Sequence, residues 1–393
     1  MKMTFVVLAV LFLLSLVAGD AWSQSQYTLT DLGTLGGTYS YATGINNNGQ
    51  VVGYAQGSVY YYGYAFLYSG GSMQNLGSLG GTYGSVADGI NDSGQVVGEA
   101  YISGNVMGHA FISSGGSMQD LGILAGGSSV ARGINNTGQV VGQNANAHAF
   151  LCSNGTMNDL GALGGATSIA LGINDNGQVV GQAYTSGNAA CHAFLYSGGS
   201  MQDLGTFGGA DSEANGINNK GQVVGDANLG SGYIDHAFLY SGGSLQDLGT
   251  LGGDYSWANA INDSGQVVGE AYTSGNAAHD AFLYSGGSMY DLNSLIPSDS
   301  RWTLTEAEGI NDSGQIAGWG TNPSGQTHAY LLTPTPEPST VVLLGVGGIG
   351  LAAYSWRRRK RSLSVADETD LQDDGPAILS LSSEWKESAR RAA

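Results

Sequence analysis

Cysteine, proline and basic side chains are all scarce in this chain. Of its 393 residues only Cys152 and Cys191 are cysteines and six are prolines. Two thiols exclude a disulfide framework and a metal–thiolate centre. They leave open one disulfide or, as favoured here, two separate half-buried thiols, because their repeat positions hold Tyr and Ala in other copies. Between Gln24 and Pro338 the basic residues are Arg132, Lys220 and Arg301, against 23 acidic ones, a net of −20. Such a surface repels phosphate backbones, so nucleic acid is excluded as a partner. It disfavours anionic headgroups too, while promoting solubility and a weak attraction for divalent cations. Catalytic signatures are also missing. There is no Gly-x-Ser-x-Gly, no His-Glu-x-x-His and no phosphate-binding glycine loop with its Lys.

Glycine is what the chain has in excess, 66 residues, with no Gly-X-Y period, which points to an all-β protein rich in tight turns. The glycines belong to a repeat. "GINNNGQVVG" begins at Gly44 and returns at Gly89, Gly133, Gly172, Gly216, Ala260 and Gly309, at intervals of 45, 44, 39, 44, 44 and 49 residues. A second block, "YAFLYSGGSMQNLG" from Tyr64, follows each first block, ending in the shortened "HAYLL" from His328. Each block reads as two short strands about an Asx- or Gly-rich turn. Four antiparallel strands at a period near 44 residues are the mark of a β-propeller blade.

The ends complete the count. The last unit lacks its "MQDLG" strand, while "YTLTDLG" (Tyr27 to Gly33) precedes any "GIN" block. The expectation is a seven-bladed propeller over residues 26–333, closed by the N-terminal strand so that no sheet edge is left open. The segments before "HAF" vary most and are expected on one rim, as a display surface.

Candidate chemistry is weighed within that frame. His109, His148, His192, His236 and His328 share one repeat position, with His279 one residue early. Equivalent positions on stacked sheets lie ~10 Å apart, too far for one ion with ~2 Å bonds, so each is expected to be hydrogen-bonded within its own blade. The "INDSG" turns resemble fragments of calcium loops but lack the terminal Glu, leaving hairpin turns as the main reading and weak surface calcium as the other. The "QDLG" aspartates read as strand-end caps. "VYYYGY", Val59 to Tyr64, reads first as β-forming and second as a surface for stacking on sugar rings. Catalytic, cofactor and metal residues are therefore assigned as none.

Both termini carry addresses. Lys2, an apolar run from Phe5 to Ala18 and the small-residue site Ala21-Trp22-Ser23 form a secretory signal peptide (residues 1–23), cut between Ser23 and Gln24. At the other end, Ser339 to Trp356 is uncharged over 18 residues; as a transmembrane helix it would be ~27 Å long, near the ~30 Å of a bilayer core. Arg357, Arg358, Arg359, Lys360 and Arg361 would hold its far end in the cytoplasm.

Pro336-Glu337-Pro338, the apolar span and the basic cluster together resemble the PEP-CTERM sorting signal of bacterial exosortase substrates, here residues 334–361. The resemblance implies anchoring in the inner membrane, cleavage near Pro-Glu-Pro by an exosortase, and delivery to the cell surface or extracellular matrix. The 32-residue polar tail, 362–393, departs from that pattern. The repeats, with "HAFLYSGG" and "GINNNGQVVG", resemble the bacterial HAF extracellular repeat, which implies export and no particular reaction. A non-enzymatic binding or structural protein that meets exopolysaccharide is the leading expectation; a propeller hydrolase or lyase for polysaccharide is the alternative, and a purely structural coat component the third. Mass spectrometry of the protein from its exporting host is expected to find a chain that begins at Gln24 and ends near Pro336–Pro338; an intact tail would count against sorting.

Overall fold

The computed structural model describes residues 26–335 apart from 59–62, 105–106, 124–126, 146–147, 231 and 233. These residues form seven four-stranded antiparallel sheets, with short 3-10 turns as the only helical elements among them. In blade 1 the strands are Gly36–Ile45, Val51–Gly57, Gly63–Ser69 and Ser72–Asn75, in spatial order from the inner edge outward. Inner strands of successive blades touch around the ring, and the circle shuts where Gly36–Ile45 of blade 1 meets Thr303–Ile310 of blade 7.

Blade 7 is built from both ends of the chain. Tyr27–Asp31 lies antiparallel along Thr327–Pro334, pairing Tyr27 with Pro334 and Asp31 with Tyr330. The His328 imidazole sits 2.8 Å from the Asp31 carboxylate across that seam. The donated strand therefore takes the place of the missing "MQDLG" strand, as the sequence implied.

The core lies between blades. The Phe of each "HAF" strand is fully buried (Phe66, Phe111, Phe150, Phe194, Phe238 and Phe282), with Tyr330 as its counterpart in blade 7. Between blades 4 and 5, for example, Val180 and Ala193 pack against Ala214, Val223, Ala227 and Phe238. A buried serine adds a polar stitch across most of these interfaces: the Ser85 hydroxyl of blade 2 accepts from the Ala65 N–H of blade 1 and donates to the Gly77 carbonyl.

The strongest polar feature is a closed ring at the turn end of the inner strands. The Asn of each "GIN" is buried (Asn46, Asn91, Asn135, Asn174, Asn218, Asn262 and Asn311). In blade 1 its carbonyl oxygen accepts from the N–H groups of Asn48 and Gln50. Its amide donates to Gln50 Oε1 and, at 2.9 Å, to the backbone carbonyl of Asn91 in the next blade. The same link runs from Asn91 to Asn135, on to Asn174, Asn218, Asn262 and Asn311, and back to Asn46. All four hydrogen-bonding sites of such an Asn are used.

Two glycines of the repeat follow from close approach. A Cβ on Gly225, in "QVVG", would lie 1.9 Å from the Glu213 carbonyl of the adjacent strand. On Gly216, in "GIN", it would lie 3.0 Å from the Asn259 carbonyl of the next blade. Replacing Asn174 by Ala removes both its turn and its interblade bonds; unpaired buried groups cost ~1–3 kcal/mol each, so a loss of about 2–4 kcal/mol is expected. The midpoint of chemical denaturation should fall accordingly, and an unchanged midpoint would contradict the role given to this ring.

Candidate functional site

The register separates the propeller's two ends. One carries the "INNNG" and "SGG" turns; the other gathers the starts of the inner strands, the ends of the second strands and the connections into "HAF". The variable segments before "HAF" therefore do share one rim, as expected. Both ends of the described chain leave from the opposite end. Thr335 N–H donates to the Gln26 carbonyl, and Gln315 of the last Asx turn reaches Thr333.

At the turn end a second circuit lies outside the asparagine ring. Its members, in order, are Asn47, Asp92, Asn136, Asp175, Asn219, Asp263 and Asp312, and each backbone N–H donates to the side-chain oxygen of the next member. Each Asn in it also bridges two carboxylates, as Asn136 does between Asp92 and Asp175 at 3.0 and 3.1 Å. The "IND" acids are thus engaged in holding blades together. Among the described residues, no three His, Cys, Asp or Glu side chains are grouped to hold a metal ion.

Between the two ends, facing the channel, each inner strand carries a β-bulge just before "GIN". The bulged residues are Thr43, Asp88, Arg132, Leu171, Asn215, Asn259 and Glu308. A bulge re-aims one side chain and is common beside functional sites. These positions, and those two residues before them, differ from blade to blade while the flanking residues hardly change. Asn215, Asn259 and Glu308 line a cavity of about 200 Å³ in the central channel.

Blades 6, 7 and 1 together build the densest cluster. In blade 7, Glu306 lies close enough to Glu308 for its charge to raise the proton affinity of Glu308, and Trp319 stands beside them. Asn259 of blade 6 donates to Glu306 Oε1 at 3.3 Å. Glu270 of blade 6 holds the His279 ring at 2.7 Å, and that ring stacks on Tyr272 with centroids 5.6 Å apart. Trp257 stands beside Tyr272 and lies parallel to Tyr255. On the other flank Tyr41 of blade 1 meets Trp319 edge-on at 5.2 Å and stacks on Tyr54 at 5.0 Å. Burial, reinforced by Glu270, pushes Glu306 up to about 7. Burial and the Glu306 charge hold Glu308 well above the carboxylate range. Asp88, buried beside Arg132, is pushed up to about 7 even though that guanidinium, 3.5 Å away, pulls the other way.

The residues singled out from sequence fall elsewhere. His109, His148, His192 and His236 each bond the "QDLG" aspartate of the same blade, at 2.8–2.9 Å. Those aspartates also cap the strand end, as Asp120 does by accepting from the Gly122 N–H. Both readings hold. His279 differs, pairing with Glu270 on a neighbouring strand. Cys152 and Cys191 are free thiols, the first buried. Within "VYYYGY", residues 59–62 lie outside the described residues. So do Ser23, Gln24, Pro336, Glu337, Pro338, Arg357, Arg358, Arg359, Lys360 and Arg361, together with the span 339–356 and the tail. Among the described residues no helix is long and apolar enough to cross a membrane. Sequence reasoning passed over Glu306, Glu308, Trp319, Trp257, Tyr41 and Tyr54. A column-by-column comparison of the seven units inside the strands would have found them.

The C-terminal address matches a known signal. Residues 334–360 match the PEP-CTERM protein-sorting motif. Within the repeats the match is to a protein family of unknown function, DUF3466, over residues 157–246; the HAF resemblance is not what that match shows. No curated protein matches. Among solved structures, YCF48 bound to D1 peptide is 10% identical with a TM-score of 0.49, covering 80% of this chain and 96% of that one. A gluconolactonase from Xanthomonas campestris is 8% identical, TM-score 0.39, covering 80% and 91%. TolB from Acinetobacter baumannii is 13% identical, TM-score 0.37, over 62% of this chain, which spans 65% of TolB. At such identities no activity is carried across.

Because Glu306 keeps its proton to about 7 rather than its ordinary 4.5, it favours the folded chain most fully below the unfolded value. That contribution is lost as pH climbs through the folded value. Glu308→Gln, which removes the repulsion, is expected to raise the melting temperature at pH 8 and leave it nearly unchanged at pH 4.5. An equal shift at both values would refute the mutual repulsion of the two acids.

Proposed function

We propose that this is an exported, non-enzymatic binding protein, delivered to the cell surface or matrix, that uses the end of the propeller opposite its "INNNG" turns to bind polysaccharide. In this reading signal peptidase removes residues 1–23. The 339–356 span anchors the HAF-type repeats in the inner membrane, and an exosortase then cleaves at Pro336–Pro338. One observation carries the functional part. Seven nearly identical blades differ at the strand-start end, and there the differences put half-buried Trp and Tyr rings beside hydrogen-bonding carboxyl and amide groups. Rings that are apolar on the face, next to polar partners, suit the alternating surfaces of a sugar.

The state of the carboxyls favours binding over cleavage. A glycosidase works with one carboxyl protonated and the other ionised, whereas burial and neighbouring carboxylates push both Glu306 and Glu308 above the carboxylate range. Affinity electrophoresis of the exported protein through gels containing polysaccharide, with assays for new reducing ends and unsaturated products, is expected to show retardation without products. Products would establish the hydrolase or lyase alternative, and neither effect would leave a coat component.

A further inference from the structure

The aromatic residues at the variable end are not spread evenly. Most occupy blades 6, 7, 1 and 2: Trp257 and Tyr272, then Trp319, then Tyr41 and Tyr54, then Tyr83 with Tyr101 behind it at 5.4 Å; blade 4 has Tyr184 at the position of Tyr101 and Tyr272. At the positions of Tyr41 and Tyr54, blades 3 and 4 carry Val130 with Gln143 and Ile169 with Gln182; blade 5 carries Glu213 with Asp226. At that pair blade 2 carries Val86 with Glu99, so the paired inner positions bear rings in blades 6, 7 and 1 only, and Tyr83 with Tyr101 follows in blade 2. Since the scaffold is the same in all seven units, β-propensity and packing give no reason for that grouping. Blades 7 and 1 are joined by the ring contacts of Tyr41 with Trp319 and Tyr54, and blade 6 meets blade 7 through Asn259, which donates to Glu306. Beyond Tyr54 it opens into a cavity of about 230 Å³ between blades 1 and 2, lined by Tyr54, Tyr83, Tyr101 and Glu99.

We infer that these four blades form one curved groove for an extended, uncharged polysaccharide chain, several sugar rings long, instead of a pocket for a single sugar at the channel mouth. The inference rests on the polysaccharide-binding reading above and sharpens it. Neighbouring blades stand ~10 Å apart, so an arc across four of them outruns one sugar. Stacking buries the apolar face of each ring, while Asn259 and the carboxyls of Glu99, Glu270 and Glu306 offer partners to hydroxyls. Charge sets the class. Among the described residues the acids of the arc meet His279 at Glu270 and the Arg132 guanidinium of blade 3 near Glu99, and acids outnumber bases there, so uronate and sulfated chains are disfavoured.

Calorimetric titration of the exported protein with neutral glucan, mannan and galactan oligosaccharides of increasing length, and with a polyuronate, tests this. Affinity for a neutral series is expected to climb with length and then level off, with no polyuronate binding. Trp319→Ala and Tyr83→Ala should each weaken binding of the longest member on the order of tenfold, the scale of one base stacked on one aromatic side chain. Trp319→Phe should restore much of the loss, and Val130→Ala and Ile169→Ala should be silent. Denaturation midpoints identify any variant that fails to fold, and exposed Tyr83 then carries the test. Length-independent affinity, preference for polyuronate, or polysaccharide binding untouched by both aromatic substitutions would overturn the groove while leaving a polysaccharide binder. Absence of binding to any polysaccharide would remove the function itself.

Discussion

Seven buried asparagine amides, each donating into the backbone of the next blade, set the terms for everything else in this propeller. A half-satisfied polar network in a protein interior costs more than an apolar one, so every member must be present and correctly aimed. That explains why "GIN" tolerates so little change between units. Gly lets neighbouring inner strands approach, Ile closes the channel below them, and Asn makes the turn and the interblade link with one side chain. The "Q" of "QVVG" completes the set as acceptor for the same amide. Apolar burial between blades supplies adhesion without direction; the amide ring supplies the angle and the register.

Cohesion at one end leaves freedom at the other. Once the turn end fixes the blades, the strand-start end needs only small residues on the packed face, and the bulge turns one further side chain out of that packing. There the chain holds groups that a purely structural repeat has no need of: buried acids whose protons are retained by mutual repulsion and burial, and tryptophans that occur in two blades only. The chain enters and leaves at the cohesive end. The two ends of the described chain and the diversity between blades are thereby kept apart on the same ring.

Most of the architecture was legible because it is periodic. The interval between "GIN" blocks, the alternation of short apolar runs and turns, and the unmatched strand at each end led directly to seven blades and their closure by Tyr27–Asp31. That each histidine bonds within its own blade was readable for the same reason, though not that its partner in five blades is the strand-end aspartate. The cluster around Glu306 was not. Its residues lie within strands, where the eye takes Trp and Tyr for β-formers, and its members come from three blades, so no local motif exists. The bulge was hidden too, since only the pairing register reveals that Thr43 or Glu308 is the extra residue. What could be read was the backbone's rhythm; the site is written in departures from it.

The outer Asn/Asp circuit adds a matter of parity. Two kinds of member that prefer to alternate can do so without fault only around an even circle, and seven is odd. Somewhere two alike must stand side by side, and here they are Asp263 and Asp312, each taking a side-chain amide from one neighbour where Asp92 and Asp175 take two. The mismatch falls between blades 6 and 7, on the flank of the very blade assembled from both ends of the chain. An eight-membered relative could distribute its donors and acceptors evenly; a seven-membered one must always have a seam.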